Sequence, residues 1–157
     1  MRRHGIYLAA AFALVTLDQI SKALIDRGIA LYENVVMIPG FFNLTHIHNK
    51  GAIFGIFSRN PGRFTSIALL VMSLIALALV IYYFIKTPPS EKLMKISLTL
   101  ILAGAVGNQI DRFVRGYVID FLDVYIKNWH WPTFNVADSC ISCGAVLLIL
   151  TFIFRRD

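Results

Sequence analysis

The sequence predicts an all-α membrane protein: four transmembrane helices with a small extracytoplasmic β cradle between the first and second helices, as one integral membrane domain over residues 1–157. Three observations carry this expectation. Apolar residues make up 57% of the chain against 15% charged, and the mean hydropathy of +0.68 lies outside the range of soluble domains. The apolar residues gather into four runs, each near the roughly 20 residues that a helix needs to cross a bilayer core. Basic residues flank these runs instead of lining one amphipathic face, so the net charge of +6 points to lipid headgroups and topology, and no nucleic-acid partner is expected.

The first span, about residues 6–25, follows Arg2 and Arg3 and is interrupted by Asp18, Gln19, Ser21 and Lys22. A signal peptide would share the basic start, but this run is long for one and carries charges where a small-residue cleavage site belongs; an uncleaved span is expected. The connection at about 26–63 has strand character: "ENVVMI", a turn at Pro39 and Gly40, then "FFNLTHIH", with period-two alternation and many β-branched and aromatic residues. Residues 64–85, "FTSIALLVMSLIALALVIYYFI", form the clearest span and hold no charge. A third span covers about 93–113. The connection at about 114–135 contains "WHWP", whose Trp129 and Trp131 suit a headgroup region. The fourth span, about 136–154, ends at Arg155 and Arg156. Cys140 and Cys143 stand one helical turn apart in this apolar run and read as small packing residues, neither a disulfide framework nor a zinc site.

Four crossings put both termini on one side. Lys and Arg are equally numerous on the two sides, but those at the termini and in "KTPPSEKLMK" are concentrated in far fewer residues, which predicts cytoplasmic termini and two long outer connections.

Four of the acidic residues then fall at one level, with Glu91 and Asp157 on the opposite side and Asp26, Glu33 and Asp123 in the outer connections. At 1.5 Å per residue Asp18 lies roughly 18 Å up the first span, and Asp111 reaches about 22 Å up the third. Asp138 opens the fourth span from outside and Asp120 follows the third closely. Ionisable groups at membrane depth point to function, yet each has a structural alternative. Asp18 and Lys22, at i and i+4, suit an ion pair facing the bundle. Asn135 followed by Asp138 suits a helix N-cap with an acidic residue in the first turn. Asp111 and Arg112 in "GNQIDR" suit a snorkelling helix end, with Asn108 one turn before them. His46 and His48 face one side of a strand, but the sequence offers no evident third ligand, and no metal site is expected. The glycines of "NKGAIFG" lack the Lys-Ser/Thr of a phosphate loop and fit a bend beside Asn49.

What remains is chemistry for two acids. Two neighbouring carboxylates cannot both ionise cheaply, so one can act as general acid while the other takes a proton from a water attacking a carbonyl, with no metal or cofactor. The residues leave this pair open among Asp111, Asp120, Asp123 and Asp138. A small proton- or cation-coupled transporter is the alternative, since intramembrane acids also mark ion paths, although here the second span is uncharged and the acids crowd one level. A structural subunit whose polar cluster fixes helix packing is a third reading.

Five blocks in order, "DQISK", "NKGAIFG", "GNQIDR", "VIDF" and "FNVADS", together with the length and the four spans, resemble the bacterial lipoprotein (type II) signal peptidases, aspartic intramembrane proteases. The resemblance covers essentially the whole chain. It implies cleavage of diacylglyceryl-modified prolipoproteins on the N-terminal side of the lipidated cysteine, in the bacterial cytoplasmic membrane near its outer leaflet. By block matching it implies Asp120 and Asp138 as the catalytic pair and Asn49, Asn108, Arg112 and Asn135 as residues lining the site and holding substrate or peptide-like inhibitors. Asp18, Lys22 and Asp111 are then supports, and the outer β cradle corresponds to strands within residues 33–57. The chain is expected to act as a monomer among membrane lipids. Ile53 departs from the small residue common after "GA", and His48 before Asn49 is not demanded by the pattern.

Overall fold

The computed structural model describes residues 2–51 and 63–154. Ile53 and the rest of the second block beyond Gly51 lie outside the described residues. Four helices cover the four predicted spans: α1 (Arg2–Gly28), α2 (Arg63–Lys86), α3 (Lys92–Val114) and α4 (Val136–Ile153). All four are long and apolar enough to cross a membrane. Helix α1 continues to Gly28, so Asp26 belongs to its last turn and not to the connection.

Helix α3 is the most buried span and packs against α1, α2 and α4. Its closest partner is α4, and glycine sets that approach. A Cβ at Gly104 would collide with the Ala137 carbonyl oxygen, and one at Gly144 would lie 2.8 Å from the Ser97 carbonyl oxygen. Helix association in lipid gains little from apolar burial and relies on such close backbone contact. Helix α2, by contrast, exposes large residues such as Met72, Ile75 and Leu79, as a lipid-facing helix does. It is tied to α3 at the end remote from the sheet by Lys95, which is fully buried, donates to the Phe84 carbonyl and lies 3.8 Å from the centroid of the Phe84 ring.

The opposite end of the bundle carries an antiparallel sheet in the order β1-β2-β3-β4: β1 (Asn34–Ile38), β2 (Phe42–Asn49), β3 (Val118–Ile126) and β4 (Trp129–His130). The β1–β2 turn holds Gly40 at φ 79°, where the left-handed backbone favours glycine. The expected cradle between α1 and α2 is thus only half of the sheet. The connection between α3 and α4 supplies β3 and β4, and Asp120 lies in a strand, not in a loop. Strand β3 escapes an alternation test because Val118, Ile119, Asp120 and Phe121 are all buried, so both of its faces carry core residues. Ile119 and Phe121 form the small core under the sheet with Ile25 of α1.

The β2–β3 register shifts between Leu44 and Ile47, beyond which Ile47 faces Asp120 and Asn49 faces Val118. Asn49, two residues from Ile47, therefore stands diagonal to Asp120 on one face, while His46 and His48 take the other. Cys140 is buried and Cys143 exposed, both as free thiols.

Gly104→Ala is expected to destabilise the protein in detergent by about 1–3 kcal/mol through overpacking of α3 on α4. Gly5→Ala, where an added Cβ meets nothing within 4 Å, serves as the neutral control in the same thermal unfolding measurement.

Candidate active site

Lys22 organises the polar interior. Its ammonium lies 2.8 Å from Asp18 Oδ2 and 2.7 Å from Asp111 Oδ2, and it donates to Asn108 Oδ1 at 3.0 Å. Lys22 and Asp111 are fully buried and Asp18 is 1% exposed. The i, i+4 pair read from the sequence is therefore real but is part of a larger array. Arg115 adds a second cation on Asp111 Oδ1, and Gln19 Nε2 donates to Asp18, Asp111 and the Gly107 carbonyl. The result is two cations for two carboxylates, which makes burial at this depth tolerable. Gly107 admits the array, since a Cβ there would lie 2.7 Å from Asp18 Oδ2. Sequence reasoning assigned nothing to Gln19 and Arg115. Arg115, four residues after Asp111, carried a usable i, i+4 signal, whereas Gln19 contacts α3 only through the fold.

The array also starts helix α4. Asn135 is the N-cap, with extended backbone, and its Oδ1 accepts from the Asp138 backbone N–H at 2.9 Å. Asp18 Oδ1 accepts from the Ala137 N–H at 2.9 Å, so a second exposed donor of the first turn is satisfied by α1. The cap predicted at Asn135 is present. The Asp138 side chain nevertheless turns to α3, where Asn108 Nδ2 donates to its Oδ1 at 2.7 Å.

Asp120 meets Asp138 through the same amide. Asn135 Nδ2 donates to Asp120 Oδ1 at 2.8 Å while Asn135 Oδ1 caps the Asp138 backbone, and Asn49 Nδ2 donates to Asp120 Oδ2 at 2.8 Å. Asp120 is 1% and Asp138 5% exposed. Among the described residues neither joins an ion pair, unlike Asp111, which is held by two cations, and Asp123, which accepts from Asn43 and contacts His130 at 2.8 Å. Of the four acids left open by the residues, Asp120 and Asp138 are the two that, among the described residues, accept from side-chain amides and join no ion pair. Burial, and next the charge of Asp138, raise the Asp120 pKa from its ordinary value to about 7, against the opposing effect of the Asn49 and Asn135 hydrogen bonds. Arg112 lies within electrostatic reach of Asp138, Asp120 and Asp111.

Two cavities adjoin this region. One of about 530 Å³ is lined by Asn49, Lys50, Arg112 and Tyr117 together with Ile67, Leu69 and Leu70 of α2. The other, of about 300 Å³, is an apolar groove between α2 and α3 that ends at Asn108, Gln109 and Arg112. Every predicted site residue therefore lies in one connected region, with Asp18, Lys22 and Asp111 beneath the Asp120–Asp138 pair and Asn49, Asn108, Arg112 and Asn135 around it. On the other face of β2, His46 and His48 approach to 3.1 Å between their Nε2 atoms, and Asp26 supplies the third potential ligand that the sequence did not offer.

A model of the family described as Signal peptidase (SPase) II matches residues 10–154. The chain is 43% identical over 151 residues to the lipoprotein signal peptidase of Syntrophus aciditrophicus, covering 96% of this chain and 94% of that one. It is 43% identical over 150 residues to that of Francisella tularensis subsp. novicida, covering 96% and 92%. Two solved structures of bacterial membrane enzymes, determined by the in meso method, superpose with TM-scores of 0.83 and 0.82 at 34% and 33% identity. The first pairing covers 95% of this chain and 88% of the other, the second 97% and 95%.

Lys22→Met leaves two buried carboxylates to a single remaining cation and is expected to cost about 3–5 kcal/mol of stability, read as a fall in thermal unfolding temperature. Asp26→Asn, on the exposed end of α1, is expected to leave the unfolding temperature nearly unchanged.

Proposed function

The chain belongs to the signal peptidase II family, a multi-pass membrane hydrolase family that removes signal peptides from prolipoproteins, and from this premise we propose that it is an aspartic endopeptidase with Asp120 and Asp138 as its catalytic pair. The observation that carries the reading is the Asn135 side chain, which donates to the Asp120 carboxylate and accepts from the Asp138 backbone N–H, and so holds together two buried acids that join no ion pair among the described residues. None of these findings favours the transporter alternative.

The roles follow from charge balance. Arg112 is one cation within electrostatic reach of two carboxylates, so the pair is expected to hold one proton between them. Burial and the charge of Asp138 raise the Asp120 carboxyl to about 7, so Asp120 takes the role of acid and Asp138 that of base. Asp138 takes a proton from water as its oxygen adds to the scissile carbonyl carbon, and Asp120 gives its proton to the carbonyl oxygen. On collapse of the diol, Asp120 recovers a proton from a hydroxyl and Asp138 passes its own to the departing amine. Each carboxyl group ends as it began, and the pair titrates as a unit.

The substrate is a diacylglyceryl-modified prolipoprotein, cut on the N-terminal side of its lipidated cysteine. The apolar groove between α2 and α3 suits a signal helix arriving laterally from lipid, since it leads to Asn108 and Arg112. The cavity beside Asn49 and Arg112 suits the polar backbone around the scissile bond, and is where peptide-like inhibitors would compete. The sheet lies over the outer leaflet of the bacterial cytoplasmic membrane, with exposed Trp129 and Trp131 at headgroup level and both termini cytoplasmic. The enzyme works as a monomer surrounded by lipid.

With a lipidated precursor and detergent-purified protein, Asp120→Asn and Asp138→Asn are each expected to lower turnover by on the order of 10³-fold while the unfolding temperature shows a folded protein. Substantial turnover by both variants overturns the assignment. The acid form of Asp120 is present below its pKa and disappears as pH rises through it, so kcat/KM is expected to fall on the alkaline side of about pH 7. A profile flat from pH 6 to pH 9 is incompatible with Asp120 as the acid.

A further inference from the structure

We propose that Asp26, His46 and His48 form a binding site for a divalent transition metal of the zinc class, at the outer end of α1 and on the face of β2 turned away from Asp120. The three residues come from two elements, and their ligand atoms all lie within 4.8 Å of one another. His46 Nε2 is 3.1 Å from His48 Nε2 and 3.5 Å from Asp26 Oδ1. Two ligands at about 2.05 Å from a tetrahedral zinc stand about 3.3 Å apart, so the two His46 separations need little adjustment, and the Asp26 carboxylate, exposed and free to turn, closes the third.

The hydrogen bonding around the cluster sets the tautomer. His46 Nδ1 lies 2.9 Å from the Ile29 carbonyl oxygen, which can only accept, so Nδ1 carries the proton. In the neutral ring Nε2 is then a lone pair that accepts from His48 Nε2–H in the metal-free protein, 3.1 Å away, and that also faces the Asp26 carboxylate at 3.5 Å. A carboxylate oxygen and an imidazole lone pair repel at this distance unless a cation or a proton lies between them. A backbone carbonyl that holds the second nitrogen of a ligating histidine is also the arrangement that orients metal ligands elsewhere. His48 is held in turn by stacking on Tyr117, with ring centroids 3.7 Å apart and planes at 20°. His46 is 4% exposed, whereas the Asp26 side chain is 43% exposed, so the site opens to water on the Asp26 side and leaves room for a water as fourth ligand.

Two histidine nitrogens and one carboxylate oxygen suit zinc and its neighbours, not calcium or magnesium, which take oxygen sets. Bound metal would pin β2 to the end of α1 beside Asn49, the residue that donates to Asp120. The site does not depend on the peptidase reading, and its test needs no substrate.

The test uses tag-free, chelator-treated protein in detergent, titrated with Zn²⁺ by calorimetry and with Co²⁺ by visible absorption. Wild type is expected to bind one equivalent, to show the intense Co²⁺ band of a tetrahedral site and to gain unfolding temperature with Zn²⁺. His48→Ala is expected to abolish the band and the thermal gain, and Asp26→Asn to weaken binding by at least tenfold. Wild type that binds no Zn²⁺ overturns the proposal. Equal binding by wild type and both variants overturns it as well, because the metal then lies elsewhere.

Discussion

The ammonium of Lys22 is the interaction on which the polar half of this molecule depends. A lone carboxylate at membrane depth is costly, and Asp18 and Asp111 are both fully or almost fully buried. Lys22 touches both and also reaches Asn108, so one cation joins α1 to α3 and passes an orienting contact to the residue that holds Asp138. Asp18 extends the chain of contacts by capping the Ala137 N–H of α4. Three helices are thereby locked in register by groups whose alternative is an unpaired charge in a medium without water.

That locking separates two classes of acid. Asp18 and Asp111 are each paired with a cation, Lys22 with both and Arg115 with Asp111. Asp120 and Asp138 are held by amides, which orient a carboxyl group without fixing its charge. Asn135 performs two jobs with one side chain, as cap of α4 and as donor to β3, so the helix start and the strand are positioned by the same amide group. The glycines of α3 permit this. Gly104 and Gly107 bring the α4 start and Asp18 to distances that any side chain would prevent.

Much of the fold was legible because the bilayer imposes a length and a polarity on its helices. The four spans, the β1–β2 hairpin and its turn, the Asp18–Lys22 spacing and the Asn135 cap are local patterns, and each appears where the residues placed it. Strand β3 was not legible, because burial on both faces erases the alternation that identifies an edge or half-exposed strand. Asp26 was not recognised as a neighbour of His46 and His48, since 20 residues separate it from the nearer one and only the packing of α1 against β2 brings them together.

By itself the sequence determined four helices long and apolar enough to cross a membrane and the expectation that four of its acids share one level, because hydropathy and helical rise depend on neighbouring residues alone. It also carried the ordered blocks by which the family resemblance could be stated. Tertiary structure alone decided which acids receive cations and which receive amides. That division turns on contacts between α1, α3, α4 and a strand some 100 residues from the first of them. Charge neutralisation acts over a few ångströms in space, and no spacing along a chain records which distant cation will lie within that reach.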